Sequence, residues 1–121
     1  MISFKKFIHS IKNAVRGLLL VAEENNFKII LFVAGLTMIF AVVLPLERWE
    51  WLIVIFLIGF VISVEMINSK LERVMDNLKP TYDKSIKDIK DISAGAVLIA
   101  CFTSLVIGIL IFTPYLLDLI N

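Results

Sequence analysis

The chain reads as apolar runs separated by short charged stretches, and the spacing within each run predicts a helix. From residue 4 to 22, apolar side chains recur at Phe4, Phe7, Ile8, Ile11, Ala14, Val15, Leu18, Leu19 and Ala22. This i, i+3, i+4, i+7 spacing is that of an amphipathic helix. Its other face carries Lys5, Lys6, His9, Lys12, Asn13 and Arg16. A helix apolar on one side and basic on the other suits the surface of an anionic leaflet. Three longer runs follow, at 29–46, 51–67 and 94–117. The first has eighteen residues without a charge, near the short end of the ~17–25 that cross a bilayer. Pro45 and Glu47-Arg48-Trp49-Glu50 turn the chain, and Trp49 and Trp51 fall where an aromatic belt is expected. The second run keeps its helical pattern through Met66, Ile67, Leu71, Val74, Met75 and Leu78, so this helix projects beyond the bilayer until Pro80 ends it. A polar loop from Lys79 leads to the third run, with Pro114 near its exit.

Composition turns these helices into membrane spans. Of 121 residues, 60% are hydrophobic, and mean hydropathy is +0.94. A soluble domain of this size cannot bury that much apolar material, so the excess must face lipid. The expected fold is an all-α membrane protein in one domain, 1–121, with a surface helix in residues 1–27 and three transmembrane helices. No signal-peptide pattern is evident, because the apolar run Leu18–Ala22 is short and ends in Glu23-Glu24. A net charge of +1 gives no reason to expect nucleic acid, and the single Cys101 allows no intramolecular disulfide.

The basic residues set the orientation. Five (Lys5, Lys6, Lys12, Arg16, Lys28) precede the first span and six (Lys70, Arg73, Lys79, Lys84, Lys87, Lys90) separate the second from the third. The hairpin has Arg48 alone, and no basic residue follows Pro114. Both basic segments are therefore expected in the cytoplasm, with the C-terminus outside.

Glu65 is the anomaly in this pattern. It ends the apolar run from Trp51 to Val64, and Asn68, Glu72 and Asp76 follow it. At about 100° per residue these four side chains share an arc of roughly 80°. Ionisable residues at membrane depth are costly and mark function by default. Glu23 and Glu24 before the first span, and Lys90 and Asp91 before the third, reach the same surface. Carboxylates, an amide and a lysine at a lipid–water boundary suit magnesium–phosphate chemistry: the metal takes hard oxygen ligands, and phosphoryl transfer needs a base for the acceptor's proton. Two other readings compete. The stripe is a solvated helix extension, or Glu65 lines an ion or proton path in a non-enzymatic protein, a small transporter or holin-like pore-former. Neither Gly-x-x-x-x-Gly-Lys nor Gly-x-Gly-x-x-Gly occurs.

Val64-Glu-Met-Ile-Asn-Ser-Lys-Leu-Glu-Arg-Val-Met-Asp76, with Lys90-Asp-Ile-Ser-Ala-Gly-Ala-Val97 after the loop, resembles the signature of the prokaryotic diacylglycerol kinase family, which includes undecaprenol kinases. The pattern is E-x-x-N-[ST]-x-x-E-x-x-x-D, then K-D-x-x-[AS]-[AG]-A-V. Glu24-Asn-Asn-Phe-Lys-Ile29 and Gly108-Ile-Leu-Ile-Phe-Thr-Pro114 are also similar to family segments. The resemblance implies a kinase of the bacterial cytoplasmic (inner) membrane that uses ATP and Mg2+ to phosphorylate the hydroxyl of undecaprenol or diacylglycerol. Carried over, Glu65 is the general base, and Glu24 and Glu72 hold the metal and through it the nucleotide. Asn68 orients that cluster, and Asp76 joins it. Lys90 contacts the phosphates, Asp91 helps place the nucleotide, and Thr81, Tyr82 and Asp83 form its contact loop. Asn26, Phe27, Lys28 and Ala94 meet the lipid. The resemblance also implies a homotrimer with shared active sites. Ile30 stands where the family usually has His, and no role is carried over to Lys6 or Asn13.

Overall fold

The computed structural model describes residues 3–78 and 84–121. Its described residues form four helices, α1 (Phe4–Ala22), α2 (Asn25–Val43), α3 (Arg48–Leu78) and α4 (Lys84–Ile120). Ser3 caps α1, its hydroxyl accepting from the Lys6 backbone N–H at 3.4 Å. Among the described residues most of the apolar face of α1 is uncovered: Phe4, Phe7, Ile11 and Leu18 are exposed, and Val21 is its one buried residue.

The last three helices are each long and apolar enough to cross a membrane. Only 11% of each apolar stretch is buried within the chain. The accessible surface is 9451 Å², against about 6,600 Å² for a compact soluble protein of this mass. The surplus is apolar and needs lipid or other copies of the chain to cover it. At ~1.5 Å per residue, α3 is about 46 Å long and α4 about 55 Å, against a hydrocarbon core of ~30 Å. Both therefore extend beyond the membrane, and they pair antiparallel along this length.

Two boundaries differ from the hydropathy pattern. The third membrane helix begins at Lys84, so Lys90 and Asp91 are helical rather than in a loop. The helix also continues through Pro114 to Ile120. Proline removes one backbone donor, a loss that membrane helices tolerate when neighbouring groups compensate. Hydropathy marks where the bilayer starts, whereas a helix ends where its hydrogen-bonding ladder ends.

A polar clasp closes the far end of the molecule. Glu50, in the first turn of α3, accepts from the Glu47 backbone N–H at 2.9 Å, which is half of a capping box. The Tyr115 hydroxyl donates to the same Glu50 oxygen. Glu50 is only 7% exposed, and its turn is braced by Trp49 Nε1 donating to Glu47.

Candidate active site

The opposite end of the pair gathers the polar stripe. Asn68 is 8% exposed, and its Oδ1 accepts from Ser93 Oγ at 2.7 Å, tying α3 to α4. Two turns further out, Lys90 Nζ donates to Asp76 Oδ1 at 2.8 Å. These links lay the Glu65–Asp76 face of α3 along the start of α4. Glu65 is partly buried, and no hydrogen bond or ion pair engages it among the described residues. Glu72 is likewise partly buried on the same face. Asp91 accepts from Lys87 Nζ at 2.6 Å, a contact within α4 at the exposed surface.

Glu24 arrives from the other direction. It is the N-cap of α2, in extended conformation, and its side chain makes no bond to its own helix. Its backbone carbonyl starts α2 by accepting from Lys28 N at 3.0 Å. The carboxylate is left free to reach α3, where Ser69 Oγ donates to Oε2 at 3.0 Å and the Lys70 ammonium pairs with Oε1. The Lys70 and Ser69 hydrogen bonds, then the charges of Lys70 and Arg73, hold this carboxyl below its ordinary range. Glu24 thus sits against α3 at Ser69 and Lys70, on the flank of the stripe, with a cation already on it. Among the described residues no three acidic, histidine or cysteine side chains form a ready metal cluster. Two carboxylates from separate helices do fit magnesium, which commonly takes one or two and completes its shell with phosphate oxygens and water.

The remaining residues divide. Asn26 and Lys28 are exposed in the first turn of α2, while Phe27 between them is turned into the protein at 4% exposure. Ala94 is exposed on α4 beside Ser93. Thr81, Tyr82 and Asp83 lie outside the described residues. Ser69, Lys70 and Ser93 join the site without having been singled out from the sequence. Ser69 had a signal, the [ST] of the α3 motif; Lys70 and Ser93 occupy open positions of the two motifs.

Comparison with known proteins gives the family. The profile of the prokaryotic diacylglycerol kinase family matches residues 12–112. The undecaprenol kinase of Bacillus subtilis (strain 168) is 35% identical over 114 residues, which cover 93% of this chain and 89% of that protein. A diacylglycerol kinase of Synechocystis sp. (strain ATCC 27184 / PCC 6803 / Kazusa) is 31% identical over 99 residues, covering 81% of this chain and 57% of that protein. A multi-pass helical protein with this charged face, matched over nearly its whole length, belongs to the prokaryotic diacylglycerol kinase family and is a lipid kinase.

Proposed function

We propose that this kinase transfers the γ-phosphate of ATP to the hydroxyl of undecaprenol, giving undecaprenyl phosphate, with diacylglycerol and phosphatidic acid as the alternative acceptor and product. The observation that carries the reading is the placement of Glu65: a carboxylate without a partner among the described residues, at the edge of an apolar slab, on the same helix face as Asn68 and Glu72. A base serving a lipid hydroxyl has to sit at the depth of that hydroxyl. The likeness to the Bacillus subtilis undecaprenol kinase favours the polyprenol.

In this reading Glu65 takes the proton of the lipid hydroxyl as its oxygen attacks the γ-phosphorus. The bond from that phosphorus to the bridging oxygen breaks, ADP leaves, and Glu65 returns the proton to water. Lys90, near the mouth of the stripe, binds phosphate oxygens after leaving Asp76, and Asp91 and the 81–83 segment hold the nucleotide. Glu24 and Glu72 hold magnesium, which when bound draws charge from the phosphate oxygens. Asn68 is fixed by Ser93 and orients the cluster.

The lipid enters beside Asn26, Lys28 and Ala94. An apolar cleft of about 590 Å³ between α2, α3 and α4 begins one turn below Glu65, at Ile62, and beside Lys28, at Ile29. An apolar cavity of ~150 Å³ holds one benzene, so this cleft accommodates on the order of twenty carbon atoms. That supports a site reading the part of the tail next to the hydroxyl and leaving the rest in the bilayer.

The basic residues of α1, the outer part of α3 and the start of α4 lie at the end of the molecule away from the Glu50 clasp, which supports a cytoplasmic active site and N-terminus in the bacterial cytoplasmic membrane. A homotrimer covers the surplus apolar surface. Among the described residues, nothing beyond a glycine's own helix backbone and chain neighbours lies within 4 Å of where a Cβ would stand at any of the five glycines, so these small surfaces are open to helices of other copies. The test is phosphate transfer by the purified protein, in detergent or vesicles, with ATP, magnesium, and undecaprenol or diacylglycerol measured side by side. Transfer to neither lipid by a folded sample sinks the reading; faster transfer to diacylglycerol reverses the choice of acceptor.

A further inference from the structure

Glu24 is the carboxylate that brings α2 into the proposed metal site, yet both of its oxygens are engaged by donors on α3. Ser69 holds Oε2 at 3.0 Å and Lys70 holds Oε1. Helix geometry makes this pairing consequential. At about 100° per residue, Lys70 lies roughly 160° around α3 from Glu72, with Ser69 between them on the stripe side. Lys70 therefore draws Glu24 to the flank of α3, away from the other proposed metal carboxylate. This agrees with the lack of a ready metal cluster among the described residues.

The pair is poorly suited to hold the fold together. Its side chains are 47% and 35% exposed, and ion pairs so open to solvent add little stability. Nor does the family motif call for a lysine, since position 70 is one of its open positions. An exposed ammonium seated on a carboxylate that a divalent cation needs is instead a competitor.

We propose that Lys70 is a tethered counter-ion that occupies Glu24 in the nucleotide-free enzyme and must be displaced before a divalent metal can use that carboxylate. Free metal then binds weakly. When a nucleotide arrives, its phosphates attract the Lys70 ammonium, Glu24 is released, and metal is retained with the nucleotide rather than before it. The inference rests on the assignment of Glu24 to the metal, made above.

The test is Mn2+ binding to the purified full chain in detergent, read from the electron paramagnetic resonance signal of free Mn2+, without nucleotide and again with a non-hydrolysable ATP analogue. Lys70→Met removes the ammonium and keeps the stem; Lys70→Arg keeps the charge. Without nucleotide, Lys70→Met is expected to bind Mn2+ about fivefold tighter, the upper range for releasing an exposed ion pair, and Lys70→Arg to resemble the unaltered protein. With the analogue present the gap narrows. Unchanged or weaker Mn2+ binding by Lys70→Met without nucleotide overturns the inference. Glu24→Gln separates the two layers. If it weakens Mn2+ binding with the analogue while Lys70→Met changes nothing, only the role of Lys70 fails. If it leaves that binding unchanged, the metal assignment of Glu24 fails and takes the inference with it.

Discussion

Glu65 and Glu24 are both carboxylates at the membrane edge, and their surroundings give them different work. Glu65 has apolar neighbours in the chain and no partner among the described residues, which fits the role proposed for it as the base that meets the lipid hydroxyl. Glu65→Gln keeps the shape and removes the basic oxygen. Its kcat is expected to fall ~10²–10⁴-fold, the usual effect of losing a positioned base, with the protein still folded by circular dichroism. Normal turnover in that variant would remove Glu65 from the role. Glu24 titrates below its ordinary value of 4.5, first because of the Lys70 hydrogen bond and then that of Ser69. A lowered folded value means the contact is complete above the ordinary range and is lost only as pH falls through the lower one. A carbon-13 titration of the Glu24 carboxyl should therefore show its midpoint below 4.5, moving up in Lys70→Met. A midpoint at or above the ordinary value would mean that the pair does not form in solution. Helical phase made Glu65 visible in the sequence, and Glu24 stood out by its place before the first span and by the family resemblance. The partner of Glu24 was not visible, because it lies 46 positions away.

Among the elements, α3 and α4 carry the architecture. Their antiparallel contact is pinned by Glu50–Tyr115 at one end and by Asn68–Ser93 and Asp76–Lys90 at the other. The clasp at Glu50 is about 23 Å along α3 from Glu65 at 1.5 Å per residue, so it serves the helix pair rather than the chemistry. Tyr115→Phe removes one donor to a buried carboxylate and should lower stability. A lower midpoint of thermal unfolding in detergent, with kinase activity retained below that midpoint, is the expected result; an unchanged midpoint would show that the clasp adds nothing. Hydropathy located the three long helices because their apolar runs are continuous. It could not show that α4 starts at Lys84 and passes through Pro114, since both ends of that helix lie where the chain becomes polar or meets the interface. Glu50 read as a turn residue, and its bond from Tyr115, 65 positions on, is what hydropathy could not show.

For the whole molecule, orientation is the property most exposed to test. In a Cys101→Ser background, Asn121→Cys should react with a membrane-impermeant maleimide in intact bacteria, and Asp88→Cys only after the membrane is opened. The reverse pattern would put the stripe, and with it the proposed ATP site, outside the cell. The surplus of apolar surface belongs to this scale too. A single copy leaves most of each span uncovered, and what covers it, lipid or other copies of the chain, is something that no pair of residues in one chain can reveal.

The sequence by itself determined that the protein is helical, that three of its helices can cross a membrane, and that one of them carries an acidic stripe. Each of these follows from local periodicity and hydropathy, which depend on residues a few positions apart. The family motifs extended that to a lipid kinase. Tertiary structure decided which groups meet: Glu24 with Ser69 and Lys70, Asn68 with Ser93, Lys90 with Asp76, and Tyr115 with Glu50. Those meetings depend on how far each helix is rotated and shifted against its neighbour. Packing of whole surfaces sets that register, and no single residue encodes it.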